Sequence, residues 1–189
     1  VSIQEMFDLA NDNDLKDLTL KCKNEPDKTK RRNVKRSMPI FYPCIDTTQR
    51  ENKVSNGVFQ FDLDLEDNED TDFHTLRQQL EQQECVLYVM QSPSGGLKFA
   101  VQTNFHEVVG QDTLTCKQAY KVAHRFLTKF VQKECGYFTN DPSVEKTSQS
   151  CFLAYDPEAF VNTNVAPYVV NEDQLRDISN TQQQPNLTN

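Results

Sequence analysis

Two aspartates, Asp62 and Asp64, lie in the apolar run Gly-Val-Phe-Gln-Phe-Asp-Leu-Asp-Leu over residues 57–65. The run predicts a β-strand, in which side chains alternate between two faces, so both carboxylates leave the same face. Their Cα atoms are then roughly 6.5–7 Å apart. Two like charges this close repel unless a cation lies between them, so the pair predicts a Mg²⁺ or Mn²⁺ site suited to phosphoryl or nucleotidyl transfer. The apolar residues of the other face are expected to be buried: Phe59, Phe61, Leu63 and Leu65.

The length and composition fit one domain with appended tails. The chain has 189 residues, of which 37% are apolar, enough for a single core. It has no apolar run of about eighteen residues and no basic-then-apolar start, so we expect no membrane span and no secretory signal. The six cysteines form no C-x-x-C pair and no histidine has a close cysteine neighbour. These patterns predict reduced, buried thiols in a cytoplasmic protein without a zinc site.

The charge is unevenly distributed along the chain. The net charge of −8 argues against a protein that coats nucleic acid non-specifically. Residues 21–36 are nevertheless strongly basic, whereas residues 62–72 are strongly acidic. The alternatives for the basic stretch are a solvent-exposed helix face and a contact for template or a partner. Its candidate nucleic-acid-binding residues are Lys30, Arg31, Arg32, Lys35 and Arg36.

The hydrophobic periodicity predicts an α+β fold with a mostly antiparallel sheet flanked by helices. Residues 1–37 form an N-terminal helical and basic segment, residues 38–170 the main domain, and residues 171–189 a polar linker or disordered tail. Within the main domain, helices are expected over 72–83 and from about 115 to 134. A hairpin is expected over 85–103, around the turn Ser-Pro-Ser-Gly-Gly. Short strands are expected over 136–139 and 150–155.

Three features in this order resemble the archaeo-eukaryotic primase superfamily, also called primase-polymerases. They are the Asp-x-Asp strand, the Ser-Gly-Gly hairpin and an aspartate, Asp141, before a final strand. The closest similarity is to the VirE-type N-terminal primase domain of bacterial mobile elements and phages, over roughly residues 38–168. The segments that carry it are Met38–Ile40, Gly57–Asp64 with Asn68, Ser92–Lys98 and Cys151–Asn162.

The resemblance implies a primase-polymerase catalytic fold with an RRM-like sheet and a DNA-directed primase or polymerase activity. Such a domain replicates a phage or mobile element from nucleoside triphosphates on a single-stranded DNA template, often beside a helicase domain or subunit. The implied metal ligands and catalytic residues, for Mg²⁺ or Mn²⁺, are Asp62, Asp64 and Asp141. The implied nucleotide-binding residues are Ser94, Gly95, Gly96, Lys98, Lys146 and Gln149.

Two departures from the superfamily pattern keep an alternative open. Lys98 stands where many members have His, and Gln149 lies near the position of a usual Arg, whose bidentate grip on phosphate Gln does not reproduce. The alternative is a weak or inactive primase-like module that binds nucleic acid or recruits a helicase. An EF-hand loop and a P-loop both fail on their glycine positions. A DNA-nicking initiator ranks last, because no His-x-His pair is present.

Overall fold

The computed structural model describes residues 3–45, 55–110 and 117–180. The helices in these ranges are α1 (Ile3–Leu9), α2 (Asn13–Asn24), α3 (Lys28–Lys35), α4 (Phe73–Glu81), α5 (Phe105–Val108), α6 (Lys117–Cys135) and α7 (Glu172–Asn180). The strands are β1 (Ile40–Phe41), β2 (Val58–Leu63), β3 (Val86–Gln91), β4 (Leu97–Gln102), β5 (Cys151–Phe152) and β6 (Phe160–Val161). Short 3₁₀ turns cover Leu65–Asp67 and Pro142–Val144. The predicted α+β fold with an antiparallel sheet and N-terminal helices is confirmed.

Local sequence signals account for the starts of three helices. Asp12, Asp27 and Asp72 each precede a helix and accept a hydrogen bond from a backbone N–H of its first turn. Short acceptor side chains at this position satisfy donors that have no partner inside the helix. The basic stretch therefore comprises the last turn of α2 and the capped helix α3.

The main sheet has the strand order β2-β4-β3-β6, and every neighbouring pair is antiparallel. Its strands and intervening helices follow the βαββαβ chain order. β2 and β6 are therefore the two edge strands of this sheet, and β6 pairs with β3. β1 and β5 form a separate antiparallel pair. The two aspartates therefore lie at the end of an edge strand that other segments can approach.

Both faces of the main sheet are covered. Phe59, Phe61 and Leu63 are fully buried on the face that packs against α4, α6 and α7, as predicted. The opposite face packs against α1, α2 and the segment that contains β5. Leu65 was expected to join the buried side chains but is 53% exposed, because the chain turns into a 3₁₀ helix at that residue. No helix in the described ranges is long and apolar enough to span a membrane.

Three local predictions differ from the structure. Residues 136–139 have no strand structure, and the strand expected over 150–155 is limited to β5. Residues 172–180, assigned by composition to a tail, form α7, whose Ile178 is fully buried in the core. One or two apolar side chains per turn suffice for docking, although the segment is mostly polar. Residues 181–189, and the predicted start of the long helix near residue 115, lie outside the described residues.

Candidate active site

Asp62 forms a buried ion pair with Lys98 on the neighbouring strand. The two residues are directly opposite each other in the β2–β4 register, and Lys98 Nζ donates a hydrogen bond to Asp62 Oδ2. Their side chains are 18% and 7% exposed, respectively. Asp62 Oδ1 is also buried, yet it has no hydrogen-bond partner within the described ranges. Asp62 thus has one oxygen held by an ammonium group and one buried oxygen that is unsatisfied.

Electrostatics keep the Lys98 ammonium charged. Burial by itself lowers the pKa of Lys98, but neighbouring Cys151 and the Asp62 carboxylate raise it, and the net pKa is above its ordinary value. The Cys151 thiol itself is uncharged at neutral pH, because burial raises its pKa to about 12. The resemblance implies Lys98 as a triphosphate ligand. In this structure its ammonium group is paired with the Asp62 carboxylate.

Asp64 follows β2 and precedes the 3₁₀ turn Leu65–Asp67, but its carboxylate makes no capping hydrogen bond. The side chain is half-buried and borders a cleft. Burial and the negative charge of Asp62 raise the pKa of Asp64, Asp141 adds to the increase, and Lys35 and Lys98 oppose it. Since Asp62 and Asp141 both contribute to this effect, each of them lies within electrostatic reach of Asp64.

Asp141 is anchored beside Asp62 through the backbone. Its N–H donates to the Asp62 carbonyl oxygen at 2.8 Å, and Asn140 Oδ1 accepts from the Asp62 N–H at 2.9 Å. The carboxylate of Asp141 accepts from the backbone N–H of Ser143 at 2.8 Å and from its Oγ at 2.6 Å. The structure therefore brings Asp141 next to the Asp-x-Asp strand, with its carboxylate hydrogen-bonded to the following turn.

Asn68 connects the two acidic segments. It is 4% exposed, and its Nδ2 donates to the carbonyl oxygens of Asp64 at 2.8 Å and Thr139 at 2.9 Å. Its Oδ1 accepts from the Thr139 N–H at 2.7 Å. Asn68 thereby fixes residue 139, and hence Asp141, relative to Asp64. Sequence analysis identified Asn68 only through the family resemblance, because one Asn within an acidic run has no pattern that indicates burial.

His124, on α6, forms a hydrogen bond with the backbone of the edge strand β2. This fully buried side chain donates from Nε2 to the Gln60 carbonyl oxygen at 2.9 Å. Burial lowers its pKa, so the ring is neutral at neutral pH. A single His in a helix has no signature that distinguishes it from a surface residue, and sequence analysis assigned it no role.

The Ser-Gly-Gly turn lies directly against the Asp-x-Asp strand. A Cβ on Gly96 would be 2.1 Å from the Leu63 carbonyl oxygen, so only glycine permits this approach. The Gly96 N–H donates to Ser92 Oγ at 3.0 Å, and the Gly95 N–H donates to the Ser92 carbonyl oxygen at 3.0 Å. Both amides were implied as phosphate contacts, but the turn itself uses them. Ser94 remains at the cleft, where its Oγ lies 3.3 Å from Lys35 Nζ.

A cleft of about 400 Å³ opens between the acidic turn, the hairpin and the basic helices. Among the candidate nucleic-acid-binding residues, Arg31 lines this cleft and Lys35 contacts Ser94 at its wall. The other three point into solvent: Lys30, Arg32 and Arg36. The complete lining is Lys23, Arg31, Asp64, Leu65, Glu66, Glu69 and Ser94.

Two of the implied nucleotide ligands lie on the loop after Asp141. Lys146 is exposed, and Gln149 is half-buried with its Nε2 donating to the Ser150 carbonyl oxygen at 3.4 Å. Neither side chain contacts the three aspartates in the described part of the chain. Gln149, which lies near the position where the resemblance leads one to expect an Arg, is thus a neutral side chain engaged with its own loop.

The donor set is compatible with a hard divalent cation, although no group of three or more His, Cys, Asp or Glu side chains is preformed for a metal within the described residues. Asp62 Oδ1 has no hydrogen-bond partner among the described residues, and the Asp64 carboxylate makes no capping hydrogen bond. Both supply oxygen ligands of the type that Mg²⁺ and Mn²⁺ prefer. The resemblance implies Asp141 as the third ligand, but both of its carboxylate oxygens accept hydrogen bonds from Ser143 in this structure.

A protein-family profile described as the BT4734-like, N-terminal domain matches residues 33–160. The match covers more than half of the chain, and the chain belongs to this family. It includes all three aspartates, the hairpin and the two asparagines that anchor Asp141, but not α1, α2 or most of α3. No curated protein and no solved structure gives a match.

Proposed function

We propose that this member of the BT4734-like N-terminal domain family is a DNA-directed primase or polymerase domain. It joins nucleoside triphosphates on a single-stranded DNA template by metal-dependent nucleotidyl transfer, for replication of a phage or mobile element. A helicase domain or subunit is the expected partner.

One observation carries the proposal: the backbone hydrogen bond from Asp141 to Asp62. It brings an aspartate from a distant part of the chain to the end of the Asp-x-Asp strand. Asn68 and Asn140 reinforce the same arrangement with four further hydrogen bonds. Concentrated negative charge opposes the convergence of three acids. A catalytic requirement for a cation explains why the arrangement exists.

In the proposed reaction the oxygen of a 3′-hydroxyl attacks the α-phosphorus of a nucleoside triphosphate, and pyrophosphate leaves. Asp62, Asp64 and Asp141 would hold the divalent cations. Bound there, Mg²⁺ or Mn²⁺ supplies activation of the hydroxyl and neutralisation of the departing phosphates. Lys98 holds Asp62 in position and offsets part of its charge before substrate arrives. The buried sheet below the site fixes the strand that carries both carboxylates.

Three observations favour a second candidate, an inactive module that binds nucleic acid or recruits a helicase. Lys98 already neutralises one oxygen of Asp62, the Asp141 carboxylate is bonded to Ser143, and Gln149 replaces a cationic phosphate ligand. Isothermal titration of a nucleoside triphosphate with Mn²⁺ separates the two functions. A catalytic site shows metal-dependent binding, whereas an inactive module shows none.

Primer synthesis on single-stranded DNA with Mn²⁺ and nucleoside triphosphates tests the proposal. Asp64→Asn is the informative variant, since Asp62→Asn also leaves Lys98 unpaired. We expect Asp64→Asn to reduce synthesis by at least about 100-fold, the loss of several kcal/mol of metal-dependent stabilisation. Asp67→Asn, an exposed acid of the same turn, is the matched control and retains activity. Undiminished synthesis by both Asp64→Asn and Asp62→Asn would rule the assignment out.

A further inference from the structure

We propose that α3 supplies the cations that hold the triphosphate of the incoming nucleotide, with Lys35 and Arg31 as the ligands. This inference rests on the proposed function and assigns a substrate contact to the N-terminal helices.

Four of the six residues that the family resemblance implies for nucleotide binding are engaged in contacts within the protein, whereas Ser94 lies at the cleft and Lys146 is exposed. Lys98 is buried against Asp62, and the amides of Gly95 and Gly96 are bonded within their own turn. Gln149 is neutral and bonded to its own loop. A triphosphate approaching Asp64 would meet the negative charges of the acidic turn, so a cationic contact on the cleft wall is needed.

Helix α3 provides such cations beside the cleft, at two positions one helical turn apart. Arg31 lines the cleft, and its Nε donates to the Glu25 carbonyl oxygen at 3.0 Å, which fixes the guanidinium group. Lys35 Nζ lies 3.3 Å from Ser94 Oγ. Residues four positions apart occupy the same helix face, so both side chains project toward the hairpin. A fixed guanidinium and a nearby ammonium suit the oxygen atoms of adjacent phosphates.

The basic helices are held over the site by contacts from three residues. Lys35 bonds to Ser94, Lys23 Nζ donates to Gln91 Oε1 at 2.7 Å, and Lys28 pairs with Glu66 at 2.9 Å. These contacts join α2 and α3 to the hairpin and to the acidic turn. Arg31 of α3 and the Asp64 side chain therefore line the same cleft, where a metal-bound triphosphate would lie between them.

The test is isothermal titration of the full chain with dATP and Mn²⁺. We expect Lys35→Gln and Arg31→Gln each to weaken dATP binding about tenfold, and to weaken AMP binding far less, because the lost contact is to the β- and γ-phosphates. Lys35→Arg keeps the charge and should bind dATP within about threefold of the wild type. Lys30→Gln and Arg32→Gln are matched controls, since both residues are exposed on the same helix.

The outcomes separate this inference from the proposed function. If the wild type binds dATP with Mn²⁺ and both cleft variants bind it equally well, the assignment of α3 is wrong, although the proposed function stands. If the wild type does not bind dATP in the presence of either Mn²⁺ or Mg²⁺, both this inference and the proposed function are wrong. If the cleft variants lose affinity for single-stranded DNA but not for dATP, α3 contacts template rather than nucleotide and the inference is overturned. Thermal unfolding of each variant verifies that it is folded.

Discussion

The backbone N–H of Asp141 donates to the carbonyl oxygen of Asp62 at 2.8 Å. This bond continues the edge of β2 with a segment that has no regular strand structure, and it places a third acid at the end of the Asp-x-Asp strand. The Asn140 side chain adds a second bond to the same residue at 2.9 Å. Asp62 is therefore tied to Asp141 through its main chain and to Lys98 through its side chain.

The Asp62–Lys98 pair should show strong coupling in a double-mutant cycle. Asp62→Asn leaves a buried ammonium without its counter-charge, which we expect to lower the free energy of unfolding by about 3–5 kcal/mol. The double variant Asp62→Asn/Lys98→Met removes both charges and should recover part of that loss. Urea unfolding of the four proteins gives the coupling free energy. The exposed Lys28–Glu66 pair is the control, for which no coupling is expected. Additive effects at Asp62 and Lys98 would contradict the account of the pair.

Asp64→Asn should stabilise the metal-free protein slightly and abolish its response to Mn²⁺. Burial and the neighbouring carboxylates raise the pKa of Asp64, so its ionised form is disfavoured in the folded chain at neutral pH. Removing the charge should raise Tm by about 1–3 °C. In the wild type, Mn²⁺ should raise Tm because it binds the folded state, whereas the variant should show no shift. Asp67→Asn should behave as the wild type; an equal Mn²⁺ response in all three proteins would show that the metal binds elsewhere.

Asn68 should be required for both stability and metal affinity. Asn68→Asp keeps the shape but replaces the Nδ2 donor, so the carbonyl oxygens of Asp64 and Thr139 lose their partner. We expect a loss of about 2–3 kcal/mol from buried groups left unsatisfied. The Mn²⁺-induced shift in Tm should also fall, because Asp141 is no longer fixed relative to Asp64. Asn164→Ala, at an exposed asparagine, is the control. A destabilised variant with unchanged Mn²⁺ affinity would limit Asn68 to a structural role.

His124 should make the fold sensitive to acid. Burial lowers the pKa of His124 below the ordinary 6.5. Below pH 6.5, His124 is therefore protonated in the unfolded chain before it is protonated in the folded chain. Stability is therefore lost as the pH falls below about 6.5, by up to about 1.4 kcal/mol per pH unit until the native pKa is reached. Urea unfolding at pH 7.5 and pH 5.5 measures this loss. His124→Gln keeps a donor for Gln60 and should lose less stability on acidification, whereas exposed His74→Gln should match the wild type. Equal pH dependence in all three would exclude His124 as the cause.

Local pattern was sufficient for the strand, the hairpin and the long helix. The alternation around Asp62 predicts β2 and its buried face, and the Ser-Pro-Ser-Gly-Gly turn predicts the β3–β4 hairpin, because both depend on neighbouring residues. The Asp62–Lys98 pair depends on strand register, and the roles of Asn68 and His124 depend on segments brought together by tertiary folding. The sequence did not predict that α7 packs against the core, because only Leu175 and Ile178 of its described residues make this contact and the rest of the segment is mostly polar. The position of α3 beside Ser94 follows from packing of the N-terminal helices, which sequence periodicity does not specify.

Anomalous diffraction at the manganese edge, from crystals soaked with Mn²⁺ and a nucleoside triphosphate, tests the central claim most directly. The account predicts a manganese peak within about 2.0–2.3 Å of carboxylate oxygens from Asp62, Asp64 and Asp141, distances typical of small hard cations. It also predicts that the Asp141 carboxylate turns from Ser143 toward the metal. A nucleotide bound without metal, or a manganese peak remote from these three residues, would contradict the account.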